Sequence, residues 1–354
     1  MKLNLFDIEN AAKQKLSTMA YEYYAHGACD QVSIQQNRHS YDQINLIPKV
    51  LVDVSNIDLS CSILQEKLTQ PFLISPSAYH GMAHVDGEVA TAKAALKTRT
   101  LMTVSTMANA TLEEVAAVGS QCWFQLYIFN DRDFTLELVK RAERSGYTAI
   151  VLTLDSQVLG IRHADFKNQF KLPAHLSVPN LKGLNTNVTI TAGEQSLFAK
   201  HITWQDIDWL KRHTDLPIIL KGILHPEDAK KAVSYGVDGI VVSNHGGRQL
   251  DTAIPPIVIL PKIKQAVKDN CSLLLDSGIR RGTDIVKAIA LGADAVLIGR
   301  PIIWGLAMNG AEGVAEVIQI LQHELKTAMG LCGLPSVQAI KDAGKEILYA
   351  PHLL

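Results

Sequence analysis

The chain has 354 residues, 47% of them hydrophobic and 19% charged, a balance that points to a globular, soluble protein with ample apolar material for a core. A formal net charge of -1 leaves no basic footprint for nucleic acid and no acidic tail. Five cysteines at irregular positions (29, 61, 122, 271 and 332) lack metal-ligand spacing, and an odd number argues against a disulfide framework, so no metal is expected and a reducing cytoplasm is the simplest setting.

From Leu5 to His26, charged and amide residues alternate with apolar ones at helical spacing, without a long apolar core. That is neither a signal peptide nor a membrane span, and the terminal Pro351-His352-Leu353-Leu354 carries no peroxisomal or retention signal. The first seventy or so residues read as helices followed by a short β segment around Leu46 to Leu64. Eight short apolar runs follow: Phe72 to Ser75, Leu101 to Ser105, Cys122 to Leu126, Ala149 to Leu154, Ile218 to Leu220, Gly239 to Val242, Leu273 to Leu275, and Ala295 to Ile298. Their continuous hydrophobicity predicts strands covered on both faces, as in a parallel sheet.

Helical patterns separate most of these runs, with start signals at Thr111 before Glu114, Thr203 before Asp206, and Pro226 followed by Glu227 and Asp228. Three junctions, at 144–152, 234–242 and 290–298, repeat one design: an amphipathic stretch, a glycine suited to a left-handed helix end (Gly146, Gly236, Gly292), then an apolar strand. Eight such units predict an α/β chain folded as a TIM (β/α)8 barrel with an N-terminal helical extension and a long loop after strand four. A doubly wound sheet would usually have fewer strands and a glycine-rich fingerprint after the first, which Phe72 to Ser75 lacks. The expected organisation is one domain over 1–354, with the extension over 1–70, the barrel over 71–330 and a C-terminal segment over 331–354. The connection from Asp155 to Leu216 is about twice the usual length, and its polar stretch Asn180 to Gln195 reads as an active-site lid or a disordered flap.

Barrel active sites collect at the C-terminal strand ends. In order, these ends supply Ser75-Pro76-Ser77-Ala78, Ser105, Gln125 with Tyr127, Thr153 with Asp155, Lys221, Ser243 with His245 and Arg248, Asp276 with Gly278 and Arg280, and Gly299-Arg300. In Ser243 to Asp251, an imidazole and a guanidinium at a strand's mouth suggest a proton acceptor beside an anion clamp. Gly246 and Gly247 there leave room for a flat ligand; the plainer alternative is a polar loop capping a strand. The last two loops lie where many barrels hold a phosphate, with glycine amides as donors and Arg280 and Arg300 as bidentate grips, although the arginines could simply cap helices.

Lys221 ends a buried strand, where an ammonium needs an anion or a carbonyl oxygen. A structural ion pair, a Schiff-base lysine and a lysine facing an electron-accepting ring all remain open. Asp155 and His245 lie on alternate strands and can face each other across the mouth, the carboxylate orienting the imidazole and stabilising its protonated form. Arg248 and Arg162 then suit a substrate carboxylate. No metal site emerges from the scattered histidines, and no G-x-S-x-G is present.

These motifs resemble those of the FMN-dependent 2-hydroxy-acid oxidases and dehydrogenases, such as glycolate oxidase and lactate oxidase. The likeness runs nearly end to end, from Ala20-Tyr21-Glu22-Tyr23-Tyr24 through Phe124-Gln125-Leu126-Tyr127, Leu152-Thr153-Leu154-Asp155, Lys221-Gly222, Ser243 to Asp251 and Asp276 to Gly282, to Ile298-Gly299-Arg300-Pro301. It implies FMN as cofactor, a small 2-hydroxy acid and O2 as partners, and L-lactate oxidation to pyruvate with release of H2O2, in the manner of the bacterial and cyanobacterial lactate-oxidising branch. His245 is then the base with Asp155 behind it. Arg248 and Tyr23 hold the substrate carboxylate, Arg162 assists, and Tyr127 contacts the substrate hydroxyl.

The resemblance further implies that the flavin rests on the backbone of Pro76, Ser77 and Ala78. Ser105, Gln125 and Thr153 read its edge, Lys221 lies beside N1, Ser243 and Asp276 belong to the same set, and the phosphate takes Gly278, Arg280, Gly299 and Arg300. Ala78 favours the oxidases over the dehydrogenase branch. Met107 stands where glycolate oxidases carry a Trp, which implies a roomier, more pliable pocket and favours lactate. Ser277 and Gln157-Val158 replace commoner residues with little predictable effect, and the lid looks shorter than the family's usual one. Relatives are commonly tetramers or larger, so a homo-oligomer is expected, with no nucleic acid or membrane partner.

Glycolate or broader (S)-2-hydroxy-acid oxidation, or a dehydrogenase passing electrons to a quinone or another acceptor, are the nearby alternatives, and these residues do not decide between hydride and proton removal. More distant readings are a colourless Schiff-base aldolase using Lys221 and a non-catalytic flavin or phosphate binder, which would not need His245, Asp155 and Arg248 together.

Overall fold

A computed structural model of the chain describes residues 4–184 and 198–351. Eight parallel strands close into a barrel: β1 (Phe72–Ile74), β2 (Met102–Ser105), β3 (Cys122–Leu126), β4 (Ile150–Thr153), β5 (Ile218–Ile223), β6 (Gly239–Val242), β7 (Ser272–Leu275) and β8 (Ala295–Ile298), with β8 pairing back onto β1. Each of the eight apolar runs becomes one strand. The largest boundary difference is at β5, which continues beyond Leu220 through Lys221 and Gly222 with an irregularity against β6. The lysine that ended the apolar run stays in the strand because buried partners at the mouth receive its ammonium.

The two faces of the strands feed two layers of core. One set, including Leu73, Trp123, Val151, Val241, Leu274 and Leu297, clusters with Ile63 and Leu68 of an antiparallel hairpin, Cys61–Ile63 against Glu66–Leu68. This hairpin, which overlaps only the end of the β segment expected around Leu46 to Leu64, plugs the N-terminal mouth. The opposite face packs Phe124, Leu152, Leu220, Ile240, Leu275 and Ile298 against the helical layer. Each such side chain contributes about 1.5–3 kcal/mol of apolar burial.

The N-terminal extension forms three helices, Leu5–Lys15, Thr18–Ala25 and Val32–Asp42. The helical stretch expected from Leu5 to His26 is therefore divided, because Ser17 is extended and caps the second helix by accepting the Ala20 N–H. Asn45–Leu46 pairs with Leu348–Tyr349, joining the two ends of the chain. Thr111 and Glu114 form the expected capping box, whereas Thr203 bonds Asp206 just ahead of the helix Gln205–Lys211, which begins on Trp204. Gly146, Gly236 and Gly292 all take the left-handed conformation their junctions require.

The long connection after β4 holds a helix, His163–Lys167, and a short turn, Pro179–Leu181. Asn180, where the polar lid was expected to begin, is instead buried, accepting the Leu112 N–H and donating to the Ala110 carbonyl. Most of the expected lid, from residue 185 onward, lies outside the described residues, as do 352–354. Among the described residues no helix is long and apolar enough to cross a membrane.

Candidate active site

β6 runs into a turn in which three consecutive residues, His245 (φ +58°), Gly246 (+66°) and Gly247 (+75°), are left-handed. For a histidine this conformation costs about 1–2 kcal/mol, so the turn must be held. Three side-chain oxygens hold it: Ser243 Oγ accepts the His245 N–H (3.0 Å), Ser277 Oγ the Gly246 N–H (3.1 Å) and Asn244 Oδ1 the Gly247 N–H (3.1 Å). The turn aims His245 at the end of β4, where its Nδ1 lies 2.8 Å from Asp155 Oδ1.

Asp155 packs on Gly222, at φ +108°, where a Cβ would come within 2.8 Å of the carboxyl carbon, so only glycine leaves the space. Burial works against the Asp155 charge, but His245 and then Lys221 outweigh it and hold the carboxyl below its usual range. The ionised carboxylate makes Nδ1 the protonated nitrogen, which leaves Nε2 free to act as acceptor in the cavity that His245 lines.

An anion site adjoins the imidazole. Arg248 Nη1 donates to the main-chain oxygens of Tyr23 and His26, and its guanidinium lies 4.9 Å above the Tyr23 ring, with Arg162 at 5.7 Å from the same ring. Phe170 stacks on that ring at 4.5 Å. Burial, then the charge of Arg162, pulls the Arg248 pKa down. Carbonyl oxygens fix the geometry of Arg248 without neutralising it, while Arg162 pairs with Asp165 at 3.0 Å. Tyr127 completes this side; its ring is 4.4 Å from Phe198, and burial followed by Asp155 pushes its pKa up, keeping the phenol protonated.

The same cavity, about 220 Å³ in all, is also lined by Pro76, Ser77, Ala78, Gly278, Arg280, Gly299 and Arg300. Gln125 ties its wall together, donating to Thr153 Oγ1 (3.0 Å) and accepting from Ser105 Oγ (3.2 Å). Lys221 Nζ lies 3.2 Å from Asp276 and 2.9 Å from Ser243 Oγ. Burial alone would favour the neutral amine, but Asp276 and then Asp155 raise its pKa. A Schiff-base nucleophile needs that neutral amine, so this environment opposes the aldolase reading.

Arg300 donates to the carbonyls of Tyr24 (2.7 Å) and Gly246 (2.9 Å), and burial, then Arg248 and Arg280, pushes its pKa down to about 9. Arg280 is also shifted down by burial, with the Glu9 carboxylate 4.0 Å away. Buried guanidiniums so little neutralised call for an anion. At Gly299 an added Cβ would meet only Ser75 Cβ, at 3.8 Å, so the backbone opens onto the cavity. These residues fit the phosphate and ring of FMN.

All the predicted site residues named so far converge on this cleft or, like Asp155 and Ser243, directly behind it. Met107, 8% exposed, also lines it. Sequence reasoning missed Arg38 and Asp284. Asp284 accepts the N–H groups of Arg280 (2.9 Å) and Arg281 (3.0 Å), and Arg38 bonds both Asp284 and the Gly278 carbonyl, fixing the loop after β7. It also missed Gln249, which accepts the Gly160 N–H (2.9 Å) and donates to Ser156 Oγ (3.1 Å), stitching the β4 loop to the β6 loop. Gln249 stands inside the Ser243 to Asp251 motif and could have been found there. Phe170 and Phe198 gave no periodic signal.

The barrel mouth combines a cationic cleft that fits FMN with an imidazole braced by a carboxylate, an arrangement suited to a flavin-dependent oxidoreductase. The chain belongs to the FMN-dependent dehydrogenase family, whose model matches residues 12–346. It is 49% identical over 351 residues to L-lactate oxidase of Nostoc sp., covering 96% of each chain. It is 43% identical over 345 residues to glycolate oxidase of Spinacia oleracea, covering 95% of this chain and 94% of that one. A solved structure of mandelate oxidase superposes with a TM-score of 0.92 at 40% identity, covering 99% of this chain and 98% of the other. The protein is accordingly an FMN-dependent 2-hydroxy-acid oxidase.

Proposed function

We propose that the hydroxy acid is L-lactate, oxidised to pyruvate with O2 as final acceptor and H2O2 as product. The observation that carries this choice is Met107 on the cavity wall, its N–H bonded to Ser105 Oγ at 3.1 Å. A flexible thioether leaves room for a methyl substituent and yields to it, which a rigid indole would not. The likeness to a lactate oxidase at 49% identity supports the same reading. Glycolate is the second reading, supported by the likeness to a glycolate oxidase.

In this reading Arg248, Arg162 and Tyr23 hold the substrate carboxylate, and Tyr127 contacts its hydroxyl. His245 Nε2 takes a proton, and Asp155 stabilises the resulting imidazolium. Pro76, Ser77, Ala78, Ser105, Gln125, Thr153, Ser243 and Asp276 shape the flavin cleft, while Gly278, Arg280, Gly299 and Arg300 hold the phosphate. Bound FMN supplies the two-electron acceptor. Lys221 keeps a positive charge at the cleft, where it stabilises negative charge that develops on reduction.

The test is the visible spectrum during anaerobic addition of L-lactate, followed by air. The expected result is bleaching of a yellow band that returns with peroxide. Bleaching without return would assign another acceptor, bleaching by glycolate alone would assign the second reading, and a colourless protein that takes up no FMN would remove the flavin. Met107→Trp should shift the ratio of kcat/KM values about tenfold toward glycolate, the effect of roughly one methyl-sized contact; an unchanged ratio would show that this position does not set selectivity.

We further infer that the whole chain works as one domain, since the extension and the barrel both line the cleft. The five free cysteines suit a reducing cytoplasm. Exposed apolar side chains at Val50, Leu51, Leu331 and Tyr349 offer a surface for a homo-oligomer of the expected tetrameric size or larger.

A further inference from the structure

Of the three side chains that hold the left-handed turn of His245, two belong to the same loop. The third, Ser277, comes from the end of β7. Its hydroxyl accepts the Gly246 N–H at 3.1 Å and donates its proton to Asp276 Oδ1 at 2.8 Å, so its single donor is committed to the carboxylate. The other Asp276 oxygen is 3.2 Å from Lys221 Nζ. Lys221 in turn donates to Ser243 Oγ at 2.9 Å, and Ser243 Oγ accepts the His245 N–H at 3.0 Å. These contacts close a ring running Lys221, Asp276, Ser277, Gly246, His245, Ser243 and back to Lys221.

Ser277 itself is left-handed, at φ +76°. Glycine would occupy that conformation without strain and would keep the chain path. A serine there is strained, and what it adds is the hydroxyl that closes the ring. Removing the hydroxyl would leave the Gly246 amide without its side-chain acceptor and Asp276 without one donor, while the side chains of Arg280 and Arg300 would keep their own partners.

We propose that Ser277 is a positioning residue for the oxidation. Its hydroxyl couples the Lys221–Asp276 pair to the turn that presents His245 and Arg248, and so sets the approach of the imidazole to the substrate. This rests on the reading of His245 as the base. The sequence offered no effect for this residue, because the role exists only once β6 and β7 lie side by side.

Two holoenzyme variants separate the hydroxyl from the strain. Ser277→Gly removes both, and Ser277→Ala removes the hydroxyl but keeps the left-handed Cβ. Turnover is measured with the hydroxy acid that the unsubstituted enzyme uses fastest, with α-deuterated substrate, FMN affinity and thermal midpoint alongside. Both variants should lose about tenfold in kcat at saturating FMN, the rate equivalent of one hydrogen bond, with KM and the FMN dissociation constant changed by clearly less than that. The isotope effect should rise as the chemical step slows, and the Gly variant should melt no lower than the original.

A Gly variant with unchanged kcat would overturn the proposal, even beside a loss in the Ala variant, since the hydroxyl would then serve only to offset the strain of the left-handed Cβ. His245→Gln is run in parallel. If it keeps turnover, the base reading fails and the role of Ser277 fails with it. If it loses turnover while both Ser277 variants match the original, only the Ser277 proposal fails.

Discussion

A His245→Gln variant should purify yellow and turn over about a hundred- to ten-thousandfold more slowly, the range expected when a positioned general base is lost. Glutamine keeps a donor that can reach Asp155, but its amide cannot take a proton. FMN should stay bound because its proposed phosphate ligands lie on the β7 and β8 loops, and Arg300 reaches this turn through the Gly246 carbonyl rather than the imidazole. The φ of +58° strains histidine and glutamine alike, so backbone strain should leave thermal stability nearly unchanged. Flavin content and the rate of anaerobic reduction, measured together by stopped flow, check both halves. Retained reduction would remove His245 from the base role.

Arg248→Lys should lower kcat/KM about ten- to hundredfold although the charge is kept, matching a loss of about 1.5–3 kcal/mol of charge-assisted hydrogen bonding. The arginine serves two masters: Nη1 is already engaged by the carbonyls of Tyr23 and His26, and the rest of the planar fork faces the cavity. An ammonium on a flexible stem cannot span the same acceptors and still present two parallel donors to a carboxylate. Both KM and the reduction rate should worsen, because the clamp fixes the α-carbon relative to the imidazole as well as binding the acid. Steady-state kinetics with single-turnover reduction decides it; unchanged values would place the carboxylate elsewhere in the cleft.

The strands were readable because each is buried on both faces and so is continuously apolar, and the site followed from the rule that barrel chemistry gathers at strand ends. What stayed hidden depends on contacts between distant residues. Arg38 meets Asp284 across 246 positions, and nothing near either residue marks the other as its partner. Ser277 looked inconsequential because its value lies in a backbone angle and in the amide of Gly246. Lys221 was readable as a buried cation, but its partners Asp276 and Ser243 had to be seen before its protonation state followed.

The carbonyls of Tyr23, Tyr24 and His26 fasten Arg248 and Arg300 from behind. Tyr23 to His26 therefore find their seat only after Arg300 has been made, and competence arrives late in synthesis rather than growing piece by piece. The same arrangement makes catalysis a sensor of fraying. Heat that merely peels the early helices away would silence the enzyme while its barrel still stands, so inactivation would precede melting.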